Sequence, residues 1–322
     1  MTIPAPSDPI LILGAPRSGT TWLAKIVDSH PGVLYRHEPD EIHPAATLPP
    51  ERLLQVWVNE RGTRTASKRP FFRKSYQSAV AFHLRTALAY ALNGASRLPP
   101  PFNRLGTLPV PDLADTARAR LAIKSVRWCD GVGRFARALP DSRVLLILRH
   151  PCGQVASVMR GARQKRFDLR EEGTDMPFDE AFAVASAERH GVERRAFQSL
   201  PDAAKYAWAW VAFNEAALAG VETLPNLRVV IYEELCADPI GLSHQLLGFA
   251  GLTWNAQTED FLRRSTSHDG PAGYYAVFRS SIAAADGWRK SMAPADQQAV
   301  TDVVRATALA RFWPDLSAPK MR

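Results

Sequence analysis

Residues 14–21, with the sequence GAPRSGTT, combine two glycines, a cation and three hydroxyls directly after a short apolar run. Glycines at this spacing let backbone N–H groups converge on one anion at the start of a helix, and Arg17 adds a positive charge to the loop. Phosphate loops of nucleoside triphosphatases place a lysine after the second glycine, Gly19, but this chain has a threonine there. The loop therefore predicts a site for a single 5′-phosphate-like group rather than for a triphosphate with magnesium. Its hydroxyl donors are Ser18, Thr20 and Thr21.

A second segment, RVLLILRHPCGQVAS at 143–157, places an arginine at the end of an apolar run and a serine eight residues later. Arg149 would leave a parallel sheet at its carboxyl edge, where open α/β sheets bind ligands. Ser157 would lie in the first turns of the next helix, near enough to share an anion with Arg149. Together with the glycine loop, this pair predicts a nucleotide that carries one phosphate at its 5′ end and another at its 3′ end.

Apolar runs rich in strand-forming residues predict the elements that position these groups. Four runs cover residues 10–13, 121–124, 143–148 and 227–232, and a weaker one covers 33–37. Runs of this kind are typical of strands buried on both faces, as in a parallel sheet covered by helices. Helical patterns separate them, at 20–29, 75–93, 202–222 and 294–311. We expect one α/β domain over residues 1–322, a doubly wound parallel sheet flanked by helices, with helical insertions between its second and third strands.

Composition and charge narrow the class of ligand. The 322 residues carry a formal net charge of +8 with a pI near 9.6, which suits anionic ligands. The basic residues are scattered without interleaved aromatic residues, which favours anionic small molecules over nucleic acids. Cysteines 129, 152 and 236 show no metal-ligand spacing, so we expect free thiols and no metal site. No apolar stretch is long enough to cross a bilayer, and the run at 10–13 is too short for a signal peptide, so the sequence predicts a cytoplasmic protein.

The two motifs carry a resemblance to a known family. GAPRSGTTWL resembles the 5′-phosphosulfate-binding loop of sulfotransferases, and RHPCGQVAS resembles their 3′-phosphate-binding motif. IKSVR at 123–127 and VVIYEELCADP at 229–239 are similar to two further segments of that family, so the resemblance covers most of the chain and is thin between 45 and 118.

This resemblance implies a P-loop-related α/β fold and 3′-phosphoadenosine 5′-phosphosulfate (PAPS) as co-substrate, without a metal. It implies in-line transfer of a sulfuryl group to a hydroxyl or amine of a small-molecule, lipid or carbohydrate acceptor. Residues 45–118 are expected to form a helical insertion that shapes the acceptor site. The aromatic residues available there are Trp57, Phe71, Phe72, Phe82 and Tyr90.

The resemblance also assigns roles within the nucleotide site. Arg17 stands where the cytosolic branch has a lysine that neutralises the bridging oxygen and the sulfuryl group, and arginine there is typical of the carbohydrate and bacterial branches. Trp22 matches a tryptophan that stacks on adenine, with core packing behind the loop as the alternative, and Tyr232 matches a tyrosine of the same pocket. The loop donors are Ser18, Gly19, Thr20 and Thr21, and the 3′-phosphate pair is Arg149 and Ser157.

A general base is expected at the end of the second strand. The cytosolic branch has a histidine on its third strand, but that position is Val126 here, and valine cannot take a proton. Glu38 and its neighbouring proline resemble a Glu-Pro of carbohydrate-type sulfotransferases, so Glu38 is the predicted base and His37 the alternative. Successive strand residues point to opposite faces, so the two are not both expected to face the sulfate. The alternative for Glu38 is that it pairs with a basic neighbour and only shapes the pocket. Lys124 and Arg127 could contact the sulfate or an anionic acceptor, or could be surface charges.

Some features separate this chain from the cytosolic branch and leave other functions open. The FRSS segment at 278–281 precedes Gly287 and Trp288 at an interval unlike the family's Arg-Lys-Gly triplet, so Arg279 is not assigned to the 3′-phosphate. This difference favours the bacterial or carbohydrate-type branch over the phenol and steroid branch. The alternatives are a P-loop small-molecule kinase, which would need ATP and Mg²⁺, and a non-catalytic nucleotide-binding protein.

Overall fold

The computed structural model of the chain describes residues 8–39, 52, 70–95, 98–108, 110–127, 131–163, 179–267 and 281–317. These residues form a five-stranded parallel sheet with the strand order β2-β3-β1-β4-β5. All five strands run in the same direction, so their carboxyl ends meet at one edge, called here the carboxyl edge. The strands are β1 (Ile10–Leu13), β2 (Val33–His37), β3 (Arg120–Ser125), β4 (Arg143–Leu148) and β5 (Leu227–Ile231).

Helices cover both faces of the sheet. In chain order they are α1 (Thr20–Asp28), α2 (Ala79–Ala95), α3 (Val132–Ala138), α4 (Pro151–Arg163), α5 (Glu180–Arg189), α6 (Arg194–Gln198), α7 (Asp202–Leu218), α8 (Tyr232–Ala237), α9 (Pro239–Phe249), α10 (Ala256–Thr266), α11 (Ser281–Asp286), α12 (Trp288–Ser291), α13 (Pro294–Arg305) and α14 (Pro314–Ser317). Two 3₁₀-helices cover Phe102–Thr107 and Ala308–Phe312. The predicted α/β class with a parallel sheet flanked by helices is confirmed.

Two apolar clusters explain why the strands read as continuous apolar runs. In β1, Ile10 and Ile12 pack with α1 on one face of the sheet, whereas Leu11 and Leu13 pack with α3, α4 and α7 on the other. Successive strand side chains point to opposite faces, and each face of this strand needs apolar residues because both are covered. All four residues of β1 are accordingly buried.

The predicted element bounds agree with the structure except at some ends. The fifth strand ends at Ile231, because Tyr232 opens α8 rather than closing the strand. The helix expected over 294–311 ends at Arg305, and a 3₁₀-helix follows it. The helix expected over 202–222 ends at Leu218, before a glycine at 220 that adopts positive φ.

An insertion of helical structure lies between β2 and β3, as predicted. Its described part contains α2 and the 3₁₀-helix Phe102–Thr107, which pack against each other, while residues 40–51 and 53–69 lie outside the described ranges. Arg36 of β2, which is 2% exposed, binds Asp112 through two hydrogen bonds of 3.1 and 2.6 Å. This pair joins the edge strand to the insertion.

The described helices and cysteines can be compared with the predictions about membrane spans and thiols. Within the described ranges, no helix combines the length and apolar character needed to cross a membrane. Cys152 and Cys236 are buried free thiols, as the sequence predicted, and burial raises the pKa of Cys152 to about 11. Residue 129, the third cysteine, lies outside the described ranges.

Candidate active site

The glycine loop connects β1 to α1 at the carboxyl edge. The Ser18 N–H donates to the Ala15 carbonyl at 3.1 Å, which forms a turn, and the first turn of α1 then closes on the Gly19 carbonyl. Gly19 has φ 101°, and a Cβ atom there would lie 2.4 Å from the ring of Tyr232. Both the left-handed backbone and this close approach require glycine at the position.

Arg17 joins the loop to the second motif. Its Nε donates to Ser157 Oγ at 3.1 Å, and Arg149 Nη1 donates to the Arg17 carbonyl oxygen at 3.0 Å. Arg17 has φ 70°, a left-handed conformation that a non-glycine residue adopts at an energetic cost and that is common at functional sites. The two motifs are 132 and 140 residues apart in sequence at these contacts, and the fold brings them together as predicted.

Arg149 is held in place by several elements around the carboxyl edge. It is 6% exposed, and its guanidinium lies 4.8 Å from the centre of the Tyr232 ring. Its Nη2 donates to the Ala284 carbonyl of α11 at 2.8 Å, and the Arg149 carbonyl accepts from the indole N–H of Trp210 on α7 at 3.1 Å. Such contacts fix the position of a guanidinium before any ligand arrives.

The loop hydroxyls suit an anion. Ser18 is fully buried, and its hydroxyl has no hydrogen-bond partner among the described residues. A buried hydroxyl without a hydrogen-bond partner lowers the stability of the folded protein. A bound phosphate or sulfate oxygen would supply the missing hydrogen bond. Thr20 is buried and Thr21 half-buried at the start of α1. With Arg17 beside them, these residues fit a phosphosulfate group.

Glu38 and Lys124 form an ion pair at the ends of neighbouring strands. Lys124 Nζ donates to Glu38 Oε1, and the Glu38 N–H donates to the Lys124 carbonyl at 2.8 Å. Lys124 is 3% exposed, so it is not a surface charge. Burial and the nearby charge of Arg17 lower the pKa of Lys124 to about 7. Glu38 is therefore paired with a basic neighbour, Lys124, which was one of the alternatives that the sequence left open.

His37 lies closer to Glu38 than strand alternation suggested. His37 Nε2 is 3.9 Å from Glu38 Oε2, and its Nδ1 shares a hydrogen bond of 2.7 Å with the hydroxyl of Tyr35. Strand alternation does not extend to Glu38, because Glu38 has φ 47° and has left the strand conformation, and which of the two residues faces the sulfate stays a prediction. Alternation ends where extended backbone ends.

Trp22 and Tyr232 are packing groups in the described structure. Trp22 is 8% exposed, donates from its indole N–H to Ser265 Oγ at 3.2 Å and meets Tyr232 edge to face with centroids 6.2 Å apart. Tyr232 is 1% exposed and lies between Gly19 and Arg149. These contacts correspond to the core-packing alternative for Trp22, and the adenine contacts of both residues stay predictions.

The remaining predicted residues fall in different places. Arg127 is exposed and Val126 half-buried just after β3. Arg279 and Trp57 lie outside the described ranges. Of the other aromatic residues in the predicted insertion, Phe72 packs against Phe261 of α10, and Phe71 packs against Tyr90.

Sequence reasoning missed Glu233 as a support of the second motif. One carboxylate oxygen accepts from the His150 N–H at 3.0 Å, and the other accepts from the Trp313 indole N–H at 3.1 Å. His150 also stacks on Trp288, with ring centroids 4.6 Å apart. Glu233 therefore holds the backbone directly after Arg149. The YEEL segment was the available signal, but the sequence gives no indication of which backbone its first glutamate binds.

Metal ligands do not cluster in the part of the chain that the structure describes: no group of three His, Cys, Asp or Glu residues there could hold an ion. The site is built instead from guanidinium, ammonium, hydroxyl and carboxylate groups around a glycine loop. Such a set can bind a nucleotide phosphate at each end, steady negative charge between them and accept a proton.

A glycine loop and an arginine lie together here at the carboxyl edge of a parallel α/β sheet, which is where open α/β sheets bind ligands. The model of the sulfotransferase family matches residues 9–256, and the chain belongs to that family. No curated protein sequence matches the chain.

Solved structures similar to the chain are distant sulfotransferases. The sulfotransferase domain of an olefin synthase from Synechococcus PCC 7002 is 16% identical with a TM-score of 0.44, over 93% of this chain and 96% of the other. A sulfotransferase from Alicyclobacillus acidocaldarius is 16% identical with a TM-score of 0.44, over 97% and 99% respectively. Sulfotransferase STF9 from Mycobacterium avium is 15% identical with a TM-score of 0.45, over 95% and 78%.

Proposed function

We propose that this sulfotransferase uses PAPS and transfers its sulfuryl group, by in-line displacement, to a hydroxyl or amine of a small-molecule, lipid or carbohydrate acceptor. One observation carries the proposal. Arg17 of the loop contacts Ser157 of the second motif, and Arg149 contacts the Arg17 carbonyl. A nucleotide with phosphates at both its 5′ and 3′ ends requires these two motifs at one edge. The single-domain organisation and cytoplasmic location stay predictions.

Arg149 and Ser157 are the proposed holders of the 3′-phosphate. Arg149 offers a planar fork of N–H groups, which suits a phosphate oxygen pair, and Ser157 offers a hydroxyl from the following helix. The contacts of Arg149 with Tyr232 and Ala284 reduce the entropy that the guanidinium loses on binding.

Arg17 and Lys124 are the proposed cations of the transfer step. PAPS supplies a sulfuryl group whose bridging oxygen gains negative charge as the sulfur–oxygen bond breaks. Arg17 lies in the loop that binds the 5′ group, and Lys124 is close enough for the charge of Arg17 to lower its pKa. Fixed positive charges aimed at developing negative charge stabilise a transition state more than the ground state.

Glu38 is the proposed general base. As the acceptor oxygen or nitrogen forms its bond to sulfur, its proton moves to a Glu38 carboxylate oxygen, while the bridging oxygen leaves with its electron pair on the bisphosphate product. Lys124 contacts Glu38 Oε1 and holds the carboxylate in place, and His37 lies near Oε2. Lys124 thus links the carboxylate to the cationic side of the site.

Incubation with sulfur-labelled PAPS and a panel of phenols, sugars, alkyl alcohols and amines tests this function. We expect label in at least one acceptor, and loss of that label in the Glu38→Gln protein. We also expect adenosine 3′,5′-bisphosphate, and not ATP with Mg²⁺, to raise the thermal unfolding midpoint. Stabilisation by ATP with Mg²⁺ alone would favour the kinase alternative. Stabilisation by the bisphosphate without transfer to any acceptor would favour a non-catalytic nucleotide-binding protein.

A further inference from the structure

Exposed large apolar side chains are concentrated in one part of the described structure. Eight of the ten lie between residues 80 and 113, in the insertion between β2 and β3, and the other two are Ile240 and Ile282. The eight are Val80, Leu84, Tyr90, Leu98, Phe102, Leu105, Leu108 and Leu113. A concentration of this kind marks an interaction surface, because scattered exposed apolar residues would be spread over the whole protein.

Helix α2 contributes an uncharged solvent-facing side. Eight of its positions are exposed, and none of them carries a charged residue: Ala79, Val80, His83, Leu84, Ala87, Tyr90, Ala91 and Gly94. Their spacing places them on one arc of the helix. A surface helix ordinarily directs charged and polar residues to water and apolar residues to the core. This helix instead directs Val80 and Leu84 outward, 69% and 59% exposed.

The segment from Leu98 to Leu108 adds an apolar tip beside α2. Residues 99–101 are prolines, which have no N–H group to leave unpaired. The flanking N–H groups are bonded locally: Leu98 donates to Ala95, Phe102 to Pro99 and Leu108 to Leu105, at 3.0–3.2 Å. Local hydrogen bonding of these N–H groups lowers the cost of moving this stretch of backbone out of water and against lipid. We name α2's exposed side and this tip the apolar insertion surface.

Charge identifies the occupant of this surface. Among the described residues between 70 and 120, the exposed charged side chains are three arginines, Arg73, Arg104 and Arg118, and one aspartate, Asp115, and Arg104 lies within the apolar tip. A second copy of the chain would bring the same positive excess, so self-association through this face would be opposed by like charge. A bilayer with anionic headgroups supplies apolar depth and negative charge together.

We propose that the apolar insertion surface docks on the interface of a bilayer that contains anionic lipids, with Phe102 and Leu105 at the leading tip and Arg104 against the headgroups. This inference is independent of the proposed reaction, because it rests on exposure, backbone hydrogen bonding and charge in the insertion. A protein docked in this way would present its insertion to acceptors that reside in the membrane.

Vesicle flotation of the full chain tests the proposal. We expect binding to phosphatidylcholine vesicles that contain phosphatidylserine, weaker binding to phosphatidylcholine alone, and a fraction of binding that persists at high salt, because apolar insertion is not screened. The variant Phe102→Ser with Leu105→Ser should bind at least about tenfold more weakly, since each buried apolar side chain contributes substantially. The matched control Ile240→Ser removes an exposed apolar residue elsewhere and should bind as the native protein does.

Two further measurements distinguish the alternatives. Arg104→Gln should reduce the preference for phosphatidylserine and leave the salt-resistant fraction in place. Thermal unfolding midpoints of all variants should match the native protein, and the α2 pair Val80→Ser with Leu84→Ser replaces the tip variant if its midpoint falls. Absence of vesicle binding, or equal binding by both serine pairs and the native protein, would overturn the proposal. Sedimentation that shows a dimer dissociated by the serine pairs, without vesicle binding, would replace the lipid with a second copy of the chain.

Discussion

Charged groups at the carboxyl edge and apolar groups on the insertion surface are placed in opposite ways. At the carboxyl edge, Arg149 and Lys124 are almost fully buried and are held by groups from several other elements. On the insertion surface, Val80 and Phe102 are more than half exposed, and the exposed side of α2 carries no charge.

The difference indicates two separable tasks. The carboxyl edge is preorganised, because Arg149 and Lys124 are held by hydrogen bonds before a ligand binds, so its variants should lose chemistry more than fold. The apolar side chains of the insertion surface are exposed to solvent, so variants there should lose membrane binding and keep their turnover. A variant in one region that damaged the task of the other would break this comparison.

The largest expected effect is that of Arg17→Ala. Without the loop guanidinium, the growing charge on the bridging oxygen is less stabilised, and kcat should fall by roughly a hundredfold to a thousandfold. The Arg17 backbone carbonyl that accepts from Arg149 remains, so affinity for adenosine 3′,5′-bisphosphate should change much less. Steady-state kinetics and calorimetric titration of the same protein measure the two quantities. Near-native turnover would transfer the role of this cation to Lys124.

Glu38→Gln should follow, with a loss of kcat of roughly a hundredfold or more. Glutamine keeps the shape and a hydrogen-bond acceptor but cannot take the acceptor's proton, and nucleotide affinity should hold. His37→Ala is the matched control and should cost less. An active glutamine variant beside an inactive His37→Ala variant would exchange the roles of the two residues. If both stay active, the cations alone carry catalysis and a phenolic acceptor is indicated.

The pH dependence of kcat/KM should reflect Lys124. Its pKa of about 7 means that the cation is present below that pH and is lost above it, so kcat/KM should decline by up to about tenfold per pH unit on the alkaline side. Lys124→Arg keeps its charge throughout, so the decline should disappear even if activity at neutral pH is lower. A decline that persists unchanged in the arginine variant would assign it to another group.

The smallest expected effect is on stability and concerns the Asp315 carboxylate, which lies beside His150 near the carboxyl edge. His150 Nε2 lies 3.4 Å and Arg289 Nη2 lies 3.3 Å from Asp315 Oδ2, and these two neighbours lower the pKa of Asp315 from 3.8 to about 2. The ionised carboxylate therefore stabilises the fold above about pH 4, and this contribution is lost as pH falls through about 2. Asp315 is 44% exposed, so solvent screening limits the contribution to less than about 1 kcal/mol. Asp315→Asn should lower the free energy of unfolding at neutral pH by that amount, and chemical denaturation at acidic pH should show the difference vanish.

The sheet could be predicted from sequence because its signal is local. An uninterrupted apolar run such as residues 144–148 is what a strand covered on both faces requires, and the strand predicted over 143–148 has the bounds of β4. The meeting of Arg17 with Ser157 was predictable from two motifs with known chemistry. Each motif is recognised from residues that lie close together in the chain, although the two motifs themselves are far apart in it.

Other parts of the site depend on neighbours that sequence alone does not supply. Glu38 has φ 47° and is no longer in a strand conformation, and the residue type alone does not predict this. Its partner Lys124 comes from another strand. A lysine inside the apolar stretch LAIKS was a signal of a buried charge, but the sequence alone could not name its partner. The ring of Tyr232 lies against Gly19 of the loop, a contact that the sequence did not predict, and its place in an adenine pocket stays a prediction.

Discrimination between adenosine 3′,5′-bisphosphate and 5′-AMP tests the central claim most directly. Titration calorimetry of the native protein should show the bisphosphate binding more tightly, and Arg149→Ala should lose about 1.5–3 kcal/mol for the bisphosphate because a charge-assisted contact with phosphate is removed. Affinity of that variant for 5′-AMP should stay near the native value. Equal affinity of the native protein for the two nucleotides would contradict the assignment of Arg149 and Ser157 to a 3′-phosphate, and with it the proposed use of PAPS.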